Sequence, residues 1–283
     1  MPSFAENGNV RIHYLAEGKG PPLALMHGAG ATHKYFRFMG WTNALKNRYR
    51  LLMIDARGVG LSDKPHEPEA YRMKLMAGDV VAVLDDQGID KAHYFGYSWG
   101  GAMGWGLAKY FPDRVKSLVI GGYWAEDIAS ALASSPKERK GFSEYLGILR
   151  KGRKAFTNAF REELKAEKKT WQKPSVMEPL TPYRLRNAYN SDFEAQAAMY
   201  TEISKERLHI LKLLPRLNIP CLLFVGRKDD NYKGAKKASQ LLPNGRFVSF
   251  PSLGHMEAWA RLDLALPPIL KFLDDVDHGI AIK

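Results

Sequence analysis

The sequence predicts an α/β fold: a doubly wound, mostly parallel sheet with a helical cap insertion. Three observations predict it. Short apolar runs ending near glycine or proline recur along the chain. Segments with helical periodicity lie between them. One gap between runs is far longer than a single crossover helix needs.

The runs are Leu23–Met26 (LALM), Leu51–Ile54 (LLMI), His93–Phe95 with its neighbours, Val115–Ile120 (VKSLVI), Cys221–Val225 (CLLFV) and Arg246–Phe250 (RFVSF). Short, continuous apolar runs suit parallel strands covered on both faces. Val10–Tyr14 (VRIHY) alternates instead and fits an antiparallel edge strand. Tyr71–Gln87 places Leu75, Met76, Val80, Val83 and Leu84 at helical spacing, with Gly88 as a stop. Gly100–Tyr110, Lys233–Leu242 and Trp259–Leu273 are further expected helices.

About 100 residues separate VKSLVI from CLLFV, and they read mainly as helices: Phe142–Leu149, Lys154–Lys169 and Asp192–Leu214. We therefore expect a core of residues 1–123 and 216–283 and a cap of residues 124–215. An insertion at the C-terminal end of a strand sits over the crevice where such sheets bind ligands.

The 283 residues are 45% hydrophobic and 25% charged, enough for a sizeable core. Cys221 is the single cysteine, so no intrachain disulfide can form. The first twenty residues lack the apolar stretch of a secretory signal, and no apolar run is long enough to cross a bilayer. The expectation is a soluble, cytoplasmic protein with no membrane partner. Net charge is +12. Residues 137–173 hold twelve lysines and arginines against five glutamates. A solvated helical surface is the first reading of that stretch, and attraction of an anionic substrate the sharper one. Nucleic acid is disfavoured, because no zinc-finger, helix-turn-helix or stacking pattern accompanies the charge. No metal-ligand spacing, dinucleotide fingerprint or P-loop occurs, so neither metal nor cofactor is expected.

The candidate chemistry centres on Phe95-Gly96-Tyr97-Ser98-Trp99-Gly100-Gly101. A G-x-S-x-G match arises by chance in about one chain in ten of this length. Its position after a strand and before a helix gives it meaning: a sharp turn there exposes the serine oxygen and aims helix N-terminal amides at a developing oxyanion. A serine hydroxyl needs a base, and the base needs an orienting acid. His255 follows the last strand in a loop at the same sheet edge, within PSLGHMEAW. His13 lies within the N-terminal strand, and His33, His66, His93, His209 and His278 lack such a strand-end position with small neighbours. The acid should follow CLLFV in Gly226-Arg227-Lys228-Asp229-Asp230; Asp229 is the choice, with Asp230 beside it. Glu126 or Asp127, after VKSLVIGG, is a second candidate site. One oxyanion donor is the backbone N–H of Trp99. The other is assigned to Ala29 in the His27-Gly28-Ala29-Gly30 loop, with His27 anchoring that loop.

HGAG (27–30), DARGVGLSD (55–63), GYSWGG (96–101), GRKDD (226–230) and GH (254–255) together resemble the α/β-hydrolase superfamily, in its cap-bearing serine-hydrolase branch. The order Ser98, Asp229, His255 is the one that superfamily uses. The resemblance implies that Asp55 and Arg57 form a structural ion pair or hydrogen-bond cluster. It implies that dehalogenases and epoxide hydrolases, which carry aspartate at the nucleophile position, are disfavoured by Ser98. Proline iminopeptidases share a Ser-Trp-Gly turn, but their oxyanion loop reads HGGPG, and a basic cap would hold a cationic amino terminus poorly. The expected function is carboxylic ester hydrolysis through an acyl-enzyme. Carbon–carbon bond, lactone or amide hydrolysis on the same triad is the alternative, and a ligand-binding protein with little turnover is the alternative of another class. Tyr35, Phe36, Trp124, Trp171, Tyr189, Phe193 and Met256 are expected to wall the pocket, with Tyr183, Met199 and Tyr200 as further cap candidates. As a group they favour a medium-sized apolar or aromatic ester, an anionic one being included.

Overall fold

The computed structural model describes residues 3–125 and 128–282. Eight strands form one sheet: β1 (Ser3–Asn7), β2 (Val10–Glu17), β3 (Pro22–Met26), β4 (Arg50–Ile54), β5 (Ala92–Tyr97), β6 (Val115–Gly121), β7 (Cys221–Gly226) and β8 (Gly245–Phe250). Their spatial order is β1-β2-β4-β3-β5-β6-β7-β8. β3 to β8 run parallel, while β2 pairs antiparallel with β4 and β1 antiparallel with β2. β2 is therefore not the edge. A polar strand, SFAEN, covers it; its mixed residues lack the apolar signal that marked the others.

Strand alternation feeds two cores. In β5, Tyr94 packs on one face while Phe95 and Tyr97 pack on the other. Helices Met73–Asp86 and Trp99–Tyr110 cover the first face; Trp41–Leu45, His255–Ala260 and Leu262–Asp277 cover the second. The expected helix over Trp259–Leu273 is thus two helices, broken at Arg261, whose ψ of 70° is not helical. The strand order reverses between β3 and β5, which creates a crevice at their C-terminal ends. His27 follows β3 there and Ser98 follows β5.

Between β6 and β7 the chain is helical: Ile128–Ser134, Pro136–Arg150, Arg153–Lys168, Pro174–Met177, Thr181–Tyr189, Phe193–Ile203 and Ile210–Leu213. The expected helix over Asp192–Leu214 ends at Ile203 and restarts at Ile210, after His209 takes a left-handed conformation. This segment is fastened to the core at several points. Met177 and Leu180 enter the second hydrophobic cluster. Tyr183 hydroxyl lies 2.6 Å from Thr32 Oγ1, and Asn187 donates to the Gly30 carbonyl. Glu257 accepts the backbone N–H groups of Gln172 (2.8 Å) and Lys173 (2.6 Å). Among the described residues, no helix is long and apolar enough to cross a membrane.

Candidate active site

The turn at Ser98 is fixed by what its neighbours lack. Ser98 has φ 54° and ψ −118°. Among the described non-glycine residues, only His209 shares a positive φ. Such a conformation costs about 1–3 kcal/mol and persists only where the surroundings enforce it. Here they do. A Cβ on Gly96 would sit 2.2 Å from the Gly100 carbonyl oxygen, and one on Gly100 would sit 2.2 Å from the Met26 carbonyl oxygen. Two glycines thus let strand β5, its helix and the end of β3 meet. Ser98 N–H donates to Gly121 O at 2.8 Å, and Gly101 N–H returns to Ser98 O at 2.7 Å.

The structure brings Ser98, His255 and Asp229 together from three strand ends. His255 Nε2 lies 3.0 Å from Ser98 Oγ, and His255 Nδ1 lies 2.6 Å from Asp229 Oδ2. The other carboxylate oxygen of Asp229 accepts two hydrogen bonds from Asn231, each 2.9 Å. Asp229 is buried and Asp230 exposed. Glu126 and Asp127 lie outside the described residues. The imidazole is also held from its backbone: the Tyr97 hydroxyl donates to His255 O at 2.5 Å, and the Tyr97 ring stacks on that of Trp259 with centroids 4.7 Å apart.

Ala29 and Trp99 both border this turn. Neither backbone N–H has an acceptor within the described protein. A Cβ on Gly28 would lie 3.2 Å from Ser98 Cβ, so the HGAG loop runs directly beside the serine. His27 anchors that loop by donating from Nδ1 to Gly28 O (2.8 Å) and accepting Ala56 N–H at Nε2 (3.2 Å). Burial pushes the His27 imidazole below its ordinary pKa and keeps it neutral for this role.

Asp55 and Arg57 do not pair with each other. Arg57 makes a two-point contact with Asp79, through Nε at 2.7 Å and Nη2 at 2.5 Å. Asp55 accepts Nδ1 of His13 and Nδ1 of His33, each at 2.9 Å, with further bonds from the N–H groups of His33 and Leu61. The loop turns these two side chains opposite ways, Asp55 towards β2 and Arg57 towards helix Met73–Asp86. Histidines that look scattered in the sequence therefore meet in space around one carboxylate. Burial alone would push the Asp55 carboxyl up; the hydrogen bonds from His13 and His33 outweigh it and hold it well below the usual carboxylate range.

A cavity of about 800 Å³ opens over Ser98 and His255. Tyr35, Trp171, Met256 and Tyr200 line it, as do Ala29 and Gly28. Four expected wall residues stand elsewhere. Phe36 is withdrawn into the core against Phe95 and Trp259. Trp124 packs against the helix at Gly234. Tyr189 is 51% exposed beneath the Arg153 guanidinium. Phe193 borders a separate surface groove with His66 and Arg150. Among the cap candidates, Tyr183 is used up by Tyr35 and Thr32, and Met199 faces a small neighbouring pocket.

Sequence reasoning missed the inner face of helix Arg153–Lys168. Phe156, Phe160, Glu163 and Glu167 all line the cavity. Their spacing of four, three and four residues is one helix face. That period was a readable signal, hidden by the lysines and arginines between. Arg184 pairs with Glu167 there, Nη1–Oε1 at 2.9 Å and Nη2–Oε2 at 2.8 Å.

A family model described as alpha/beta hydrolase fold matches residues 21–260. The chain is 36% identical over 110 residues to bifunctional epoxide hydrolase 2 of Mus musculus, a match covering 38% of this chain and 20% of that protein. It is 36% identical over 119 residues to cis-3-alkyl-4-alkyloxetan-2-one decarboxylase of Shewanella oneidensis, covering 41% and 36%. The matched stretch therefore spans only a fifth to about a third of these relatives. Among solved structures, the enol-lactonase of Burkholderia xenovorans LB400 superposes with a TM-score of 0.79 at 22% identity, over 96% of this chain and 100% of that one.

Proposed function

The chain belongs to the alpha/beta hydrolase fold family, and on that premise we propose that it is a serine hydrolase cleaving carboxylic esters through an acyl-enzyme. The observation that carries this reading is the 3.0 Å approach of His255 Nε2 to Ser98 Oγ, with Asp229 behind the imidazole. In the proposed reaction His255 takes the Ser98 proton as Oγ attacks the ester carbonyl. The N–H groups of Ala29 and Trp99 receive the oxyanion; in comparable sites one such donor is worth about 3 kcal/mol. His255 then gives its proton to the departing alcohol. Water, deprotonated by the same imidazole, releases the acid. Asp229 fixes the imidazole tautomer and faces the imidazolium as it forms.

The epoxide hydrolase resemblance does not transfer to this turn for a chemical reason. A serine oxygen opening an epoxide would leave an alkyl ether, which water does not hydrolyse under these conditions. A carboxylate would leave an ester, which it does. Lactones keep the ester carbonyl and fit the same steps, and the similarity to an enol-lactonase makes them the second reading.

Nitrophenyl esters of increasing acyl length, assayed beside lactones and an amide with Ser98→Ala as the control, test the proposal. Ester or lactone turnover that disappears in Ser98→Ala is expected. Turnover that survives the substitution would overturn it.

A further inference from the structure

The charges of the helical segment are sorted by face. All twelve lysines and arginines of residues 137–173 are exposed, and none lines the cavity over Ser98. The cavity's charged lining is Glu163, Glu167, Glu257 and Arg184. Three carboxylates against one guanidinium leave it formally at −2, within a chain of net charge +12.

Two of the three carboxylates are occupied. Glu167 holds both ends of Arg184 and accepts Trp171 Nε1 at 3.2 Å. Glu257 holds the backbone amides of Gln172 and Lys173. Glu163 makes no hydrogen bond or ion pair among the described residues; burial pushes its carboxyl above the ordinary range, and the Arg184 guanidinium opposes that shift without pairing with it. Glu163 reaches the cavity from the same helix face as Phe156 and Phe160, and Tyr145 and Tyr200 are also in the lining. Aromatic faces attract cations, and a carboxylate among them makes a ready partner for an ammonium group. A neutral tail filling this space would strip water from Glu163 without replacing it, and an anionic tail would add like charge. The lining also contains Gln196, 4% exposed, whose Nε2 has no acceptor among the described residues.

We propose that the cavity selects substrates whose tail carries a protonated amine, bound by the Glu163 carboxylate; the inference rests on the serine hydrolase reading only for which end of the substrate is cleaved. The sign of the site is then set by the cavity lining and not by the summed charge of the cap.

Three matched esters differing only in the tail (ammonium, neutral hydrocarbon, carboxylate) are titrated by calorimetry into the Ser98→Ala protein, which binds without turnover. The ammonium ester is expected to bind about tenfold tighter than the neutral one, and the carboxylate ester weakest. Glu163→Gln on the same background should erase the ammonium advantage, weakening the ammonium ester while the neutral ester binds at least as tightly as before. A carboxylate ester that binds tightest, an ammonium affinity indifferent to Glu163→Gln, or no binding by any of the three would overturn the proposal. Hydrolysis by the unsubstituted enzyme separates the two ideas. Amine selectivity without hydrolysis removes the reaction and keeps the site; hydrolysis without amine selectivity removes the site alone.

Discussion

The turn around Ser98 and the inner face of helix Arg153–Lys168 border the same cavity, yet they are specified in different ways. At the turn, backbone approaches backbone: side chains are excluded at Gly96 and Gly100 by carbonyl oxygens 2.2 Å from where a Cβ would lie. Geometry there follows from residue types that no others can replace. On the helix, the backbone is ordinary, and only the direction of each side chain assigns it to cavity or solvent. Glu162 and Glu163 are neighbours in sequence; Glu162 pairs with Lys165 outside, at 2.7 Å, while Glu163 lines the cavity. A rigid turn can hold a reacting geometry, and a helix face can change what is recognised without disturbing that geometry.

Substitutions at the turn should therefore cost rate, and the largest effect belongs to the nucleophile. Ser98→Ala is expected to lower kcat by about 10⁶-fold while leaving ester binding intact. Steady-state kinetics beside calorimetric affinities would read both. Asp229→Asn follows, with a loss of about 10⁴-fold, because the carboxamide cannot hold the imidazole tautomer. A loss below about tenfold would transfer the orienting role to another carboxylate, Asp230 being adjacent.

The same contrast explains what could be read from the sequence. Ser98, the HGAG loop and the strand ends before Asp229 and His255 announce themselves through glycines and through their place between a strand and a helix. Six apolar strands did so as well, while SFAEN did not, because an edge strand exposed to solvent needs no continuous apolar run. The pocket walls were less legible. Aromatic type alone does not assign a wall, since Phe36 serves the core and Tyr189 the surface. Which aromatic faces the cavity depends on how several helices pack, and packing is not encoded in any one residue. Summed charge has a related limit: all twelve basic residues of 137–173 are exposed, as a solvated surface requires, while Glu163 and Glu167 line the cavity, and a sum cannot separate the two.

Beneath the turn, Asp55 joins β2 to the chain that leads out of the HGAG loop. Asp55→Asn should destabilise the fold by about 3 kcal/mol, since His13 and His33 then lose a buried ionic partner. The sign of the pH dependence follows from the depressed carboxyl. An aspartate held below its unfolded value of about 3.9 adds stability above that pH, and the contribution drains away as pH falls towards the folded value. The unsubstituted protein should lose Tm below about pH 4 more steeply than the Asn variant. Parallel acid limbs in thermal melts of the two proteins would show that Asp55 is not the group responsible.

The smallest effect should come from the outer face of the helix, and its smallness is informative. Lys154, Arg161 and Lys165 are exposed and absent from the cavity lining. Arg161 donates to Asn158 at 3.2 Å, and Lys165 pairs with Glu162 in a bridge whose two side chains are 70% and 71% exposed. Exposed pairs of this kind contribute about 0–1 kcal/mol. Physiological salt screens exposed charges beyond about 8 Å. Replacing all three by glutamine removes three positive charges from the cap. The ratio kcat/KM for a carboxylate-tailed ester should then change by less than about twofold at physiological salt. If it falls tenfold or more, and the deficit closes at high ionic strength, the outer face draws substrate in, as the expectation of an anionic substrate requires. If it holds, charge on the cap acts on solubility, and recognition belongs to the inner face.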